Sequence, residues 1–273
     1  MRKERERALR LSSSRSQQLR SRRKKIKKSP TRAAARINPQ SAIRNPKFVI
    51  PLWWLNSVIA VFLLPIVWIS TKTFFTCFSF AAFRHGFWAS EEFWFFSLGA
   101  LLWVIAFFGL PRPLWIYVFG HELTHALWVW MMGGRVSKFH VSSDGGHIIS
   151  NKHNLWIALS PYFFPLYSIA VIAIFGALGL FYNVEHYHRW LYALIGMTWA
   201  FHVSFTLWMI PKGQTDLSYF GTFFSLVVIY LMNLLVLSAL LIFASPHVTL
   251  RGFASEWFFN AQQFAAWIAS LRR

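Results

Sequence analysis

Cysteine is nearly absent: Cys77 is the only one in 273 residues. No intrachain disulfide can form, and a thiolate metal site is excluded beyond one ligand. Acidic residues are scarce too, nine against 28 Lys/Arg. Long stretches lack charge of either sign: 48–70, 93–111, 113–120, 155–184, 190–211 and 217–250. The alternation and turn spacing of a membrane β-barrel are also missing.

What fills those stretches is apolar. The chain is 56% hydrophobic, with 29 Phe and 15 Trp, which excludes an ordinary soluble domain. A bilayer crossing needs about 20 apolar residues, and backbone groups in lipid must be satisfied within their own segment. The pattern predicts an all-α polytopic membrane protein with six crossings, near 49–70, 93–111, 113–133, 155–182, 190–210 and 219–244. Trp53, Trp54, Trp190 and Tyr219 stand at span ends, where interfacial aromatics belong.

The charge is lopsided. Residues 1–47 carry 17 Lys/Arg and 2 Glu, whereas the other 226 carry 11 Lys/Arg and 7 Asp/Glu. A segment this basic, with almost no large apolar residue, reads as a disordered cytoplasmic tail. Its expected partner is the anionic head-group layer of the bilayer. A nucleic-acid arm is disfavoured because interleaved aromatics and a recognisable module are missing. A transit peptide fits the Arg and Ser content but not the early Glu residues or the Lys24–Lys28 cluster. The core is 48–250, and 251–273 reads as an amphipathic interfacial helix with Phe253, Trp257, Phe258, Phe264, Trp267, Ile268 and Leu271 largely on one side.

One cluster interrupts the third span: His121-Glu122-Leu123-Thr124-His125. Composition alone would produce HExxH in roughly one such chain in a hundred. Histidines four apart share one helix face. In this arrangement the imidazoles hold zinc and the glutamate handles the proton of a metal-bound water. The bland reading is a histidine pair hydrogen-bonded to backbone or water in a polar seam. Against it, a carboxylate at the centre of a membrane helix costs about 2.5–3.5 kcal/mol and marks a functional position by default.

Catalytic zinc takes three protein ligands, and only four acids follow the motif: Asp144, Glu185, Asp216 and Glu256. Asp144-Gly145 between Phe139-His140-Val141 and His147-Ile148-Ile149 is a hairpin signal, so Asp144 reads as a turn residue. Glu185 lies in a polar loop with His186 and His188, and Glu256 in the C-terminal amphipathic segment. Asp216 follows Pro211 and Gly213, which break the helix between two apolar runs. Two readings stand for it. It is the third ligand, or it caps the next helix; with Thr215 as cap, both hold in part. His202, inside the fifth span, is either a neutral histidine bonded between helices or a group supporting the site and stabilising an oxyanion.

Taken together, these residues resemble a known family. HELTH in an apolar helix is followed by Gly133-Gly134-Arg135-Val136, a glycine-containing hairpin, Ser160-Pro161-Tyr162-Phe163-Phe164-Pro165, and a late aspartate between two spans. That order is similar to the site-2 protease family of intramembrane zinc metalloproteases, over about residues 113–240. The resemblance implies zinc held by His121, His125 and Asp216, with Glu122 as catalytic base. It implies hydrolysis of a peptide bond in or next to a transmembrane segment of a membrane-protein substrate. It also implies a strand-presenting loop at Lys138, Phe139, His140, Val141, Asp144, Gly145 and Gly146. His202 stands in as a catalytic candidate, because the family's Asn-x-x-Pro…Leu-Asp-Gly stretch is here Gln214-Thr215-Asp216-Leu217. No inserted PDZ-type module is visible.

Two rivals remain open. Prenyl-protein-processing metalloproteases take a downstream Glu as third ligand, which would be Glu185 or Glu256. A non-enzymatic membrane scaffold or metal-binding protein with a lipid-binding tail is the other. The expected location is a bacterial cytoplasmic membrane, with an organelle membrane as the alternative. Six crossings from a cytoplasmic tail put Arg135, Lys138, Lys152 and Lys212 outside and Arg112, Arg189 and Arg251 inside, against the positive-inside rule. An extra crossing at 73–92 would remove the conflict.

Overall fold

The computed structural model describes residues 52–84, 86–142 and 145–271; the basic segment 1–47 and Asp144 lie outside the described residues. Helix α1 covers Leu52–Ser79 and runs on through a π-helical turn, Phe80–Arg84. Helix α2 is Glu91–Gly109, capped by Ser90, whose Oγ accepts from Phe93 N–H. Helix α3, Leu114–Met131, carries the HExxH motif. Strands β1, Val136–Ser142, and β2, Gly145–Ser150, form an antiparallel hairpin pairing His140 with His147. A five-residue helix α4, Leu155–Leu159, leads through a 3₁₀ turn at Ser160–Tyr162 to α5, Leu166–Gly179. Then come α6, His188–Met209, the short α7, Thr215–Tyr219, α8, Thr222–Ala244, and α9, Leu250–Ser270.

Four helices are long and apolar enough to cross a membrane: Trp53–Arg84, Glu91–Gly109, Glu185–Lys212 and Thr222–Ala244. The pair α4–α5, bent by 81°, makes a fifth if counted as one broken span. Large side chains point outward throughout, with Phe62 74% and Phe243 89% exposed, as a lipid-facing surface requires. The expected third crossing, the motif helix, is not among them. Its 18 residues are diluted by His121, Glu122 and His125. The first span is longer than the sequence suggested. Residues 73–84 continue α1 instead of forming a separate crossing, and 32 residues at 1.5 Å each reach about 48 Å, more than the hydrocarbon thickness.

Helices α2 and α6 run parallel. Arg189 holds Glu91 through two bonds of 2.7 and 2.9 Å at one end, and Phe107 packs on Phe205 and Trp208 at the other. Between them the backbones touch: a Cβ at Gly99 would strike the Ala193 carbonyl, and one at Gly196 the Phe96 carbonyl. Helices α1 and α8 are also parallel, joined by Asn56 Nδ2 to Phe220 O at 2.8 Å and by Thr71 to Tyr230. One end of the bundle therefore holds the start of α1, the ends of α2 and α6, and the start of α8.

Both ends of α3 meet that same end. Arg112, just before α3, lies over the Phe107 and Trp208 rings at 4.7 and 5.0 Å, and Lys212 covers the same indole. At the far end of α3, Met132 O accepts from Lys152 Nζ. The neighbouring His153 packs on Tyr219 and Phe220. Arg112 and Lys212, expected on opposite sides, share one end. Helix α9 docks on α1: Trp257 Nε1 donates to Ser70 Oγ, Asn260 Nδ2 to Thr73 Oγ1, and Lys72 Nζ to Gln263 Oε1. Phe258 lies exposed, apart from the docked face that Phe253 and Trp257 share.

The α2–α6 contact leaves no room for side chains. Gly99→Leu or Gly196→Leu is expected to cost about 3 kcal/mol through overpacking, read as a lowered unfolding midpoint in detergent beside an exposed control such as Gly176→Leu.

Candidate metal centre

The spacing of the motif does what a helix dictates. His121 and His125 sit one turn apart on α3, with Nε2 atoms 3.2 Å from each other. Asp216 arrives from α7. Gly213, at φ 76°, ends the preceding 3₁₀ turn in the left-handed region that glycine tolerates. Gln214 occupies the N-cap position of α7 without a side-chain cap bond, and Thr215 and Asp216 form its first turn. Neither residue caps; Asp216 turns its carboxylate toward the histidines. Its Oδ2 stands 3.4 Å from His121 Nε2 and 3.5 Å from His125 Nε2. Burial pushes the Asp216 carboxyl up, and the two imidazoles more than reverse this, leaving it below the usual carboxylate range.

These separations have a simple meaning. Two good hydrogen bonds would bring nitrogen and oxygen closer, near 2.9–3.0 Å. A tetrahedral ion holding N and O ligands at about 2.0–2.1 Å keeps them about 3.3–3.4 Å apart. The three donors have the mutual spacing of three corners of that tetrahedron, so the residues fit a tetrahedral zinc. Among the described residues, this is the only group of three or more His, Cys, Asp or Glu that converges in this way.

Neighbouring groups orient the imidazoles. His125 Nδ1 lies 2.7 Å from Ile157 O, which makes Nδ1 the protonated nitrogen and frees the Nε2 lone pair. The carbonyl is available because residue 161, which would donate to it in a continuing helix, is a proline without an N–H. Asn154, the N-cap of α4, accepts from Ile157 N–H, and the chain then tightens into the 3₁₀ turn. Tyr117, one turn before His121, places its hydroxyl 3.3 Å from His121 Nδ1. Tyr162 donates to Asp216 Oδ2 at 3.2 Å. Two aromatic and aliphatic clusters flank the centre. One joins Leu159, Phe163, Leu217 and Phe224; the other joins Phe107, Val118, Phe201 and Phe205.

Glu122 is buried beside the histidines and lines a cavity of about 390 Å³ with Tyr117, His121, His125 and Asp216. The hairpin forms the opposite wall through Gly145, Gly146, His147, Ile148 and Ser150. Contact is closest at Gly146, where a Cβ would lie 2.6 Å from Glu122 Cγ and 2.8 Å from Val118 Cγ1. The strand that faces the cavity is thus β2. On β1, Val141 packs into the Phe201–Phe205 cluster. Lys138 and Phe139 border a separate groove with Phe119, Leu123 and Trp130, and His140 is exposed.

His202 is not on the cavity wall. Its ring is buried beside Trp199 and against the Tyr162 backbone, with Nε2 itself unpaired. Glu185 is exposed in a 3₁₀ turn. Glu256 is tied to Asn260 in the α1–α9 seam. Neither is brought to the histidines. Tyr117, Tyr162, His147, His153 and Gln214 were given no role in the site from sequence. Only Tyr117 carried a signal, its i, i+4 placement before His121. Comparison with family models, curated proteins and solved structures finds no match.

Substituting Gly146→Val forces the hairpin off Glu122. Faster amide exchange is expected across 136–150 with exchange in α2 and α6 unchanged; protection equal to wild type would show that the hairpin does not rest on the motif helix.

Proposed function

We propose that this membrane protein is an intramembrane zinc metalloprotease of the site-2 protease type, cleaving a peptide bond in or next to a transmembrane segment of a membrane-protein substrate. The observation that carries the reading is the tetrahedral spacing of His121, His125 and Asp216 with the HExxH glutamate in the same cavity.

In this reading, His121 and His125 hold zinc through Nε2 and Asp216 through a carboxylate oxygen. Bound zinc supplies Lewis acidity toward water and the scissile carbonyl. Glu122 takes the proton from the attacking water and delivers it to the leaving amine as the C–N bond breaks. The substrate must be unwound there, since a helix engages its own carbonyls. Strand β2 offers an edge along the cavity with which an extended segment can pair. Tyr117 keeps His121 aligned.

Orientation follows from the shared end of the bundle. Arg112, Lys152 and Lys212 lie at the end where α1 begins, with the basic residues 1–47 preceding it in sequence. The opposite end offers Arg84, the paired Arg189 and Arg251. Five crossings, with the site end and the tail both cytoplasmic, satisfy the positive-inside rule. The tail there meets anionic head groups, in a bacterial cytoplasmic membrane.

Purified wild type is expected to contain about one zinc per chain, and His121→Ala and Asp216→Ala to lose it. Glu122→Gln should keep zinc and lose at least about 10²-fold in cleavage of a transmembrane reporter. A wild type that takes up no zinc, or full activity in Glu122→Gln, would sink the proposal. For orientation, Lys152→Cys and Arg251→Cys in a Cys77→Ala background are compared with a membrane-impermeant maleimide on intact spheroplasts. Label on Arg251→Cys alone is the expected outcome.

A further inference from the structure

Tyr162 is fully buried, at 0% exposure. Its ring stands edge-on to His121, centroids 5.4 Å apart. Its hydroxyl donates to the one oxygen of Asp216, Oδ2, that also faces both imidazoles. A carboxylate on a short side chain turns easily about its last torsion, because that torsion is broad and two-fold. Left alone, Asp216 could offer either oxygen, or both, to an ion. A single fixed donor removes that freedom.

The backbone is arranged to keep the donor fixed. Tyr162 closes the 3₁₀ turn that starts at Ser160, immediately before the 81° bend. In an unbroken helix its carbonyl would accept from the N–H of residue 166, but Leu166 N–H bonds Phe164 O instead. The freed Tyr162 carbonyl is taken by Asn233 Nδ2 at 2.9 Å, and the same amide also bonds Ile229 O on its own helix α8. Asn233 thus ties the break to the middle of a membrane-crossing helix. An unbroken helix would carry Tyr162 elsewhere.

We infer that Tyr162 is a positioning residue that selects Oδ2 of Asp216 as the single ligating oxygen of the His121–His125–Asp216 centre, with Asn233 holding Tyr162 in place. The inference rests on the metal-centre reading above. Groups that orient metal ligands are worth about 10–100-fold in metal affinity, and Tyr162 belongs in that range.

Tyr162→Phe deletes only the hydroxyl. In the full chain, purified in detergent, it is expected to weaken zinc about 10–100-fold in competition with a chromophoric chelator. The visible spectrum of the Co²⁺-loaded protein should change as the carboxylate gains a second binding mode, while melting of the metal-free protein stays as in wild type. Asn233→Ala, which touches no ligand, should shift affinity and spectrum the same way to a smaller degree, and serves where Tyr162→Phe does not fold. A metal-loaded wild type whose affinity and Co²⁺ spectrum match those of the variants overturns this inference alone. A wild type that takes up neither metal overturns it together with the metal-centre reading.

Discussion

Two imidazoles and two carboxylates lie largely buried within one apolar bundle, around a single small cavity. Each unpaired polar group there costs free energy, so they must be brought to one another or to the backbone. Much of the architecture follows from that demand. Helix α3 supplies three of the groups by local spacing, and a broken segment after α6 brings the fourth. The backbone carbonyl that steadies His125 comes from α4, where Pro161 has no N–H to engage it. Irregular backbone in a membrane is tolerated where protein buries it or where it lines a watery cavity. Both irregular segments here, 160–165 and 210–214, border the centre.

The hairpin serves the same demand from the other side. It packs onto α3 at a glycine, so that its backbone comes closest to Glu122. Backbone groups on a strand edge are polar and fixed in direction. Behind the centre, the aromatic clusters keep the bundle dry, and the parallel α2–α6 pair gives it a stiff flank.

How much of this could be read from sequence differs by range. The HExxH face, the Asp-Gly hairpin and the helix break before Asp216 are local, set by helical period, turn chemistry and Pro/Gly placement; the spacing put His121 and His125 on one face, and the structure brings Asp216, which the residues alone left open between ligand and cap, to the same group. What could not be read depends on contacts between distant segments. Tyr162 is one of eight tyrosines, and nothing in Ser160-Pro161-Tyr162 says that the 81° bend aims it at Asp216. The choice of β2 over β1 depends on which face of the hairpin meets α3. Helix α3 looks like a span by composition, yet its two ends return to the same end of the bundle. Arg112 and Lys212, 100 residues apart, meet on one indole because the parallel α2 and α6 end side by side.

The position of Asp216 late in the chain also has a consequence for biogenesis. It follows His121 by 95 residues. At about 5–20 residues per second, some 5–20 s of synthesis separate the two. Throughout that interval His121, Glu122 and His125 have been made but their carboxylate partner has not. A segment that carries such a cluster is a poor candidate for early, independent insertion, and α3 is suited to wait at the membrane surface until α7 is made. The order of assembly is then set by the distance along the chain between the two halves of the site, with the flanking spans inserted first and the centre closed last.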